Sequence, residues 1–253
     1  MNSRYWIGVT LIFALASFGC SDDGADDDNG GSSTAQDTAT AGKADASGTA
    51  GGDASGALKL LVVGDSALAW NESKSTGHQL VEVLTERGVN ATVKNNAVSG
   101  ATMGCGENGV GDSENCIPPQ YEAGDWTHVL MSGGANDIDA PCKLSADVLI
   151  SDDLKSGLTV DAINKLTAAG HKVLLYRYFE TLDPENPLNT CKDIQTLMAR
   201  YAKLAASRDD VIGVDATVVV KRANAKHYAP DGMHPSPAGS RVIAEHIAKV
   251  LGY

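Results

Sequence analysis

Aromatic residues are scarce in this 253-residue chain, at 5%, and between Ser21 and Gly56 there is none. That segment holds eight Asp, eight Gly and one Lys. It cannot bury enough apolar surface to offset the entropy of ordering it, so a solvated tether is expected. Positive charge is also short, with 20 Lys and Arg against 32 Asp and Glu for a net charge of −12. The tether alone carries −7, and with Arg4 set aside residues 57–253 carry only −6. With no basic patch, neither nucleic acid nor an anionic lipid surface is an expected partner. No apolar run is long enough to cross a bilayer comfortably, the longest candidate being "WIGVTLIFALASF", Trp6 to Phe18. There is no C-x-x-C pair and no histidine at ligand spacing, so neither zinc nor another metal is expected. The acidic run "DDGADDDNG" lacks the spacing and closing Glu of an EF-hand loop and is expected to be spacer.

What is present at the N-terminus has the layout of an export signal: Arg4, then the short apolar core, then small residues, over residues 1–19. "ALASFGC" resembles a bacterial lipobox, which would make Cys20 an acylated first residue, although Phe18 is bulky for that position. A plain cleaved signal, giving a secreted chain, is the alternative. Any membrane attachment is expected only through acyl chains on Cys20. Beyond Cys20 lie Cys105, Cys116, Cys142 and Cys191. In an exported chain these favour disulfides. The pairing expected is Cys105 with Cys116, inside one loop, and Cys142 with Cys191, in loops following successive strands.

Residues 57–253 alternate strand and helix patterns. Leu58 to Val63 is a buried-strand run, and "STGHQLVEVLTERG" places Leu80, Val81 and Leu84 on a helical face that ends at Gly88. "VNATVKNNAV", "WTHVLMSGG", "HKVLLYRYF" and "DVIGVDAT" are four further strands. Helical patterns cover about Asp152 to Ala169, Asp193 to Ser207 and Pro237 to Leu251. This β/α order implies one α/β domain with a mostly parallel sheet covered on both faces and ligands bound at the carboxyl ends of its strands.

Four rim segments then bear chemistry. Gly64-Asp65-Ser66 ends the first strand, where Gly64 permits a tight exit and Ser66 presents a hydroxyl. A serine is a weak nucleophile without a base to take its proton and a carboxylate to orient that base. Asp231 and His234, in "YAPDGMHPSPAG", supply both types just before the last helix. Gly100, after the second strand, and Asn136, in "GGAND" after the third, offer donors to an oxygen that becomes negative. Each feature alone is as readily a cap or a turn. Trp70 and Tyr228 are candidates for lining a sugar or acyl site, with core packing as the alternative. Tyr176 and Tyr178 are expected to pack on the sheet. "GCGENG", Gly104 to Gly109, matches a dinucleotide fingerprint, but no apolar helix follows it.

Taken in order, Gly64-Asp65-Ser66, Gly100, Gly134-Ala135-Asn136-Asp137 and Asp231-Gly232-Met233-His234 resemble the four blocks of the SGNH hydrolases, also called the GDSL family, over essentially all of residues 57–253. The resemblance implies a flavodoxin-like three-layer α/β/α sandwich with a five-stranded parallel sheet, and no cofactor. It implies Ser66 as nucleophile, His234 as general base and then acid, and Asp231 orienting His234. An oxyanion hole would be formed by the Ser66 and Gly100 N–H groups and the Asn136 side chain. Two departures, Trp70 and the insertion "MGCGENGVGDSENCIPP", are expected to bear on substrate more than on mechanism. The expected activity is hydrolysis of carboxylic esters by a monomer, directed at small acyl groups on an extracellular carbohydrate. A lipase, lysophospholipase or thioesterase of the same fold, or a surface lipoprotein that binds without turnover, are the alternatives.

Overall fold

The strand Leu58–Val63 shows how the sheet is built. Successive side chains in a strand point to opposite faces. Leu61 and Val63 therefore enter one hydrophobic cluster, while Leu58, Leu60 and Val62 enter a second. A strand buried on both sides has to be apolar almost throughout, and this one is. The computed structural model describes residues 57–105, 115–138 and 142–253, all within one unit spanning Gly52–Tyr253. The signal-like segment, Cys20, the tether and most of "GCGENG" lie outside the described residues.

In chain order the elements are β1 (Leu58–Val63), α1 (Ser66–Ala69), α2 (Thr76–Glu86), β2 (Ala91–Asn95), β3 (His128–Met131), α3 (Ala135–Ile138), α4 (Ala146–Leu149), α5 (Leu158–Ala168), β4 (Lys172–Arg177), α6 (Pro187–Thr190), α7 (Lys192–Ser207), β5 (Val211–Asp215) and α8 (Pro237–Val250). The five strands form one sheet in the order β2-β1-β3-β4-β5, and every pairing is parallel. This is the expected three-layer, flavodoxin-like arrangement. Leu80, Val83 and Leu84 of α2 pack with Ile243, Ala244 and Ile247 of α8 on one face. On the other face, Val160, Ile163 and Leu166 of α5 meet Ile194, Leu197 and Tyr201 of α7. The chain runs from β1 out to the edge strand β2 and then back across to β3, so the strand order reverses at β1 and β3. Open α/β sheets bind ligands at the carboxyl ends of strands beside such a reversal. Among the described residues no helix is long and apolar enough to cross a membrane.

Two expectations need correcting. Val81 is 42% exposed, and Val83, one turn from Leu80 on the same stripe, is the residue buried instead. Helix α5 starts at Leu158 rather than near Asp152. Gly157 has φ +113° and lies so close to Leu149 that a Cβ there would stand 2.6 Å from the Leu149 carbonyl, so the helix cannot extend back through it. Both expected disulfides are present, Cys105 to Cys116 with Cα atoms 5.6 Å apart and Cys142 to Cys191 at 6.0 Å, separations that suit a bridge.

Candidate active site

Ser66 opens α1 directly after β1, and the two residues before it fix how it does so. Gly64 has φ +146°, and a Cβ added there would lie 2.1 Å from Ser132 Oγ; only glycine fits between the ends of β1 and β3. The Asp65 carboxylate accepts from the Ala67 N–H at 3.1 Å, capping α1. It also accepts from the Ser132 hydroxyl at 2.9 Å and from the Tyr178 hydroxyl, while the Asp65 N–H donates to Ser132 Oγ at 3.0 Å. Asp65 is 1% exposed. Burial pushes its carboxyl above the ordinary value, against the pull of these donors.

Gln120 holds the same turn through its backbone. Its Oε1 accepts from the Gly64 N–H at 2.6 Å and its Nε2 donates to the Gly64 carbonyl at 2.9 Å. Asn96, just past β2, donates to the Gln120 carbonyl at 2.9 Å. Gln120 is the first residue after the insertion that was expected to serve substrate choice. Tyr178, expected to be sheet packing, stands beyond the end of β4 and holds Asp65.

The loop before α8 brings the other two residues to Ser66. His234 Nε2 lies 2.9 Å from Ser66 Oγ, and His234 Nδ1 lies 2.7 Å from Asp231 Oδ2. Asp231 Oδ1 accepts from the backbone N–H groups of Met233 at 2.9 Å and His234 at 3.0 Å. An ionised carboxylate only accepts, so the proton of the neutral ring sits on Nδ1 and Nε2 keeps its lone pair for the serine hydroxyl. Partial burial pushes the Asp231 carboxyl up, but its bonds to the His234 ring and to the two amides outweigh this and leave it below its ordinary value. The Asp231 side chain is 37% exposed and that of His234 14%.

The donor segments are locked to each other. The N–H of Ala101 donates to the Val98 carbonyl at 3.2 Å across a turn in which Gly100 has φ +80°, as the third position of a type II turn requires. Asn136 Nδ2 donates to the Ala101 carbonyl at 2.9 Å. The Asp137 carboxylate accepts from the Met103 and Gly104 N–H groups, each at 2.8 Å. Burial raises the Asp137 carboxyl, while those amides draw it down.

Ser66, Asn136 and His234 line one cavity of about 430 Å³ whose apolar wall includes Phe179, Leu188 and Met233. Gly100 is an exposed turn outside that lining. Trp70 is not part of this cavity either. Its ring stacks on the His234 imidazole with centroids 3.8 Å apart, and it lines a separate groove of about 470 Å³ with Asn71, Glu72, Lys74 and Ser99. The substrate-lining expectation for Tyr228 is corrected. That residue is 5% exposed, packs edge-on against Phe179 and donates its hydroxyl to the Glu180 carbonyl at 2.8 Å, so it backs the cavity wall without lining it. Among the described residues no group of three His, Cys, Asp or Glu is placed to hold a metal ion.

Sequence reasoning missed Asn71, Gln120, Ser132 and Tyr178. Ser132 was within reach, because Val63 pairs with Met131 and the next residues, Gly64 and Ser132, must then be neighbours. Gln120 lies 56 positions from Gly64 and gives no local signal.

The fold recurs in known proteins. No curated protein sequence matches the chain. Among solved structures it resembles TesA, at 23% identity and TM-score 0.55 over 77% of this chain and 98% of that one. It also resembles a carbohydrate acetylesterase family member from Sinorhizobium meliloti, at 15% and 0.55 over 78% and 100%. A third is the inhibitor-bound aryl esterase of M. smegmatis, at 18% and 0.56 over 78% and 99%. The profile of the GDSL-like lipase/acylhydrolase family matches residues 62–242, from within β1 into α8. With this match spanning all four blocks, the chain belongs to that family and is an SGNH-type ester hydrolase.

Proposed function

We propose that Ser66 is the nucleophile, His234 the general base and acid, and Asp231 the residue that orients it, in hydrolysis of small acyl esters, chiefly acetyl, on a carbohydrate. The observation that carries this reading is the unbroken line from Ser66 Oγ to His234 Nε2 at 2.9 Å and from His234 Nδ1 to Asp231 at 2.7 Å. Ser66 Oγ attacks the ester carbonyl as His234 takes its proton. The charge that gathers on the carbonyl oxygen meets the Ser66 and Gly100 N–H groups and the Asn136 amide. His234 gives the proton to the departing alcohol, then takes one from the water that attacks the acyl-serine and returns it to Ser66 Oγ as the acyl–oxygen bond breaks and the acid leaves.

The carbohydrate side of the reading draws support from the polar groove beside His234, which carries Trp70, Asn71, Glu72 and Lys74, and from the Sinorhizobium relatives named as carbohydrate acetylesterases. Two disulfides support maturation in an oxidising compartment. The reading includes export by residues 1–19, acylation at Cys20, a tether over 20–56, and action as a monomer.

A fluorophosphonate probe is expected to label the protein, and Ser66→Ala to abolish both labelling and turnover. A folded wild type that stays unlabelled would favour a binding lipoprotein. On p-nitrophenyl esters of rising chain length, run beside acetylated xylan and peptidoglycan, short acyl groups are expected to be preferred. A preference for long chains would favour the lipase reading. Incorporation of labelled palmitate that disappears in Cys20→Ser is the expected mark of the anchor.

A further inference from the structure

Trp70 and Asn71 leave α1 within one turn of Ser66, and both reach the loop that carries His234. The Trp70 ring lies nearly parallel to the imidazole, with centroids 3.8 Å apart and planes 7° from coincidence. Asn71 Nδ2 donates to the carbonyl of Pro235, the residue after His234, at 2.7 Å and lies 3.4 Å from Ser240 Oγ on α8. The backbone is strained to allow this. Asn71 has φ +74° and Glu72 φ +45°, two successive non-glycine residues in the left-handed region. Such a conformation persists only where its surroundings over-determine it, and it gathers at functional sites. Asn is among the side chains that tolerate it best.

We propose that Trp70 and Asn71 form a clip that positions the His234 imidazole against Ser66, and that the Trp70 face stabilises the ring while it carries the proton taken from Ser66. This rests on Ser66 and His234 being nucleophile and base. As the bond from Oγ to the acyl carbon forms and the carbonyl electron pair moves to oxygen, the proton passes to Nε2 and the ring becomes a cation. An indole face beneath it attracts that cation. When the ester C–O bond breaks, the proton leaves with the alcohol and the attraction ends. Trp70 is a positioning residue that acts through His234. One of its faces is covered by the imidazole, which leaves only the remainder of the ring to line the outer groove.

The other charged or titratable groups around the imidazole are Asp231 on its own loop, Asp65 at the serine turn and Tyr178 after β4. Glu72 and Lys74 stand in the groove beside Trp70. Replacing Trp70 removes none of these groups, so a downward move of the acid limb of kcat/KM reports loss of the ring's attraction.

The test is the pH dependence of kcat and kcat/KM on p-nitrophenyl acetate for the full chain and for Trp70→Phe, Trp70→Ala and Asn71→Asp. Trp70→Ala is expected to move the acid limb of kcat/KM down by about half to one pH unit and to lower kcat about tenfold, with little change in KM. Trp70→Phe is expected to fall between and carries the test if the alanine variant does not fold. Asn71→Asp keeps the left-handed preference but cannot donate to Pro235, and is expected to lower kcat several-fold, with its new carboxylate leaving the limb in place or raising it, in contrast to the fall expected for Trp70→Ala. The emission of Trp70, taken as the difference between wild type and Trp70→Phe, is expected to quench with the midpoint of the acid limb, and His234→Ala to remove that step.

A rise in KM at unchanged kcat would make Trp70 a substrate wall and overturn the proposal. So would lost activity and lower Tm with an unmoved limb, or a flat emission titration. If Ser66→Ala left turnover intact, the underlying reading would fail instead. The emission step needs only the indole and the imidazole, and would still report on the stack.

Discussion

Ser66 and His234 meet at 2.9 Å, yet they are held in opposite ways. The serine turn is gripped from inside: Asp65 is buried under three donors, and Gly64 is clamped on both its N–H and its carbonyl by Gln120. The histidine loop is gripped from outside, by a half-exposed Asp231 on its own loop and by the Trp70 and Asn71 side chains laid over it. A buried network resists removal because each lost partner leaves a desolvated group unpaired. A surface grip orients without contributing much to folding. On this contrast, damage to the serine turn costs stability first, and damage to the histidine loop costs rate first.

The largest expected effect tests the histidine side. Asp231→Asn should lower kcat by about 10⁴-fold, by analogy with other triads whose carboxylate is neutralised, with Tm nearly unchanged; a large fall in Tm would erase the contrast. Asn136→Ala, which removes a proposed oxyanion donor, should cost about 10²- to 10³-fold in kcat, and full activity would take Asn136 out of the site. Gln120→Ala should destabilise by about 1–3 kcal/mol in thermal or urea unfolding, through the stranded Gly64 N–H, the carbonyl keeping the Val98 N–H, with a smaller loss of rate.

The subtlest effect concerns pH. The Asp65 carboxyl is raised by burial, so its contribution to stability is fully present below the ordinary carboxylate value and is lost as pH rises through the raised one. The stability of wild type relative to Asp65→Asn should therefore fall as pH rises above the ordinary carboxylate value, as read by Tm. Asp231, held below its ordinary value, has the opposite sign: its contribution is present above the ordinary value and is lost as pH falls through the lowered one. A Tm difference for Asp65→Asn that does not vary with pH would show that the buried turn is not where the charge is strained.

Much of this was legible in the chain because the signals were local. The apolar run of β1, the stripe of α7 from Lys192 and the proline that opens α8 fixed those elements to within about a residue. Ser66, Asp231 and His234 could be named because Gly-Asp-Ser and D-x-x-H stand among four ordered blocks that resemble one family, while either motif alone reads as a cap or a turn. The supporting residues could not, because they act across the fold. Gln120 reaches Gly64 through a loop fastened by Cys105–Cys116, and Tyr178 looked like one more aromatic of β4 until the strand ended a residue earlier. Trp70 was marked as unusual, but only the stack showed that its neighbour is the imidazole.

The bridge from Cys142 to Cys191 closes a separation of 49 residues and fastens the start of α7 just after Leu188, part of the cavity wall. By chain entropy alone a loop of that length contributes about 4 kcal/mol. Material purified from a reducing cytosol is therefore expected to unfold at a lower temperature than oxidised protein, and its segment beside Leu188 to lose the covalent tie to Cys142. How the protein is produced thus decides how much of its folded margin is left when an assay is run.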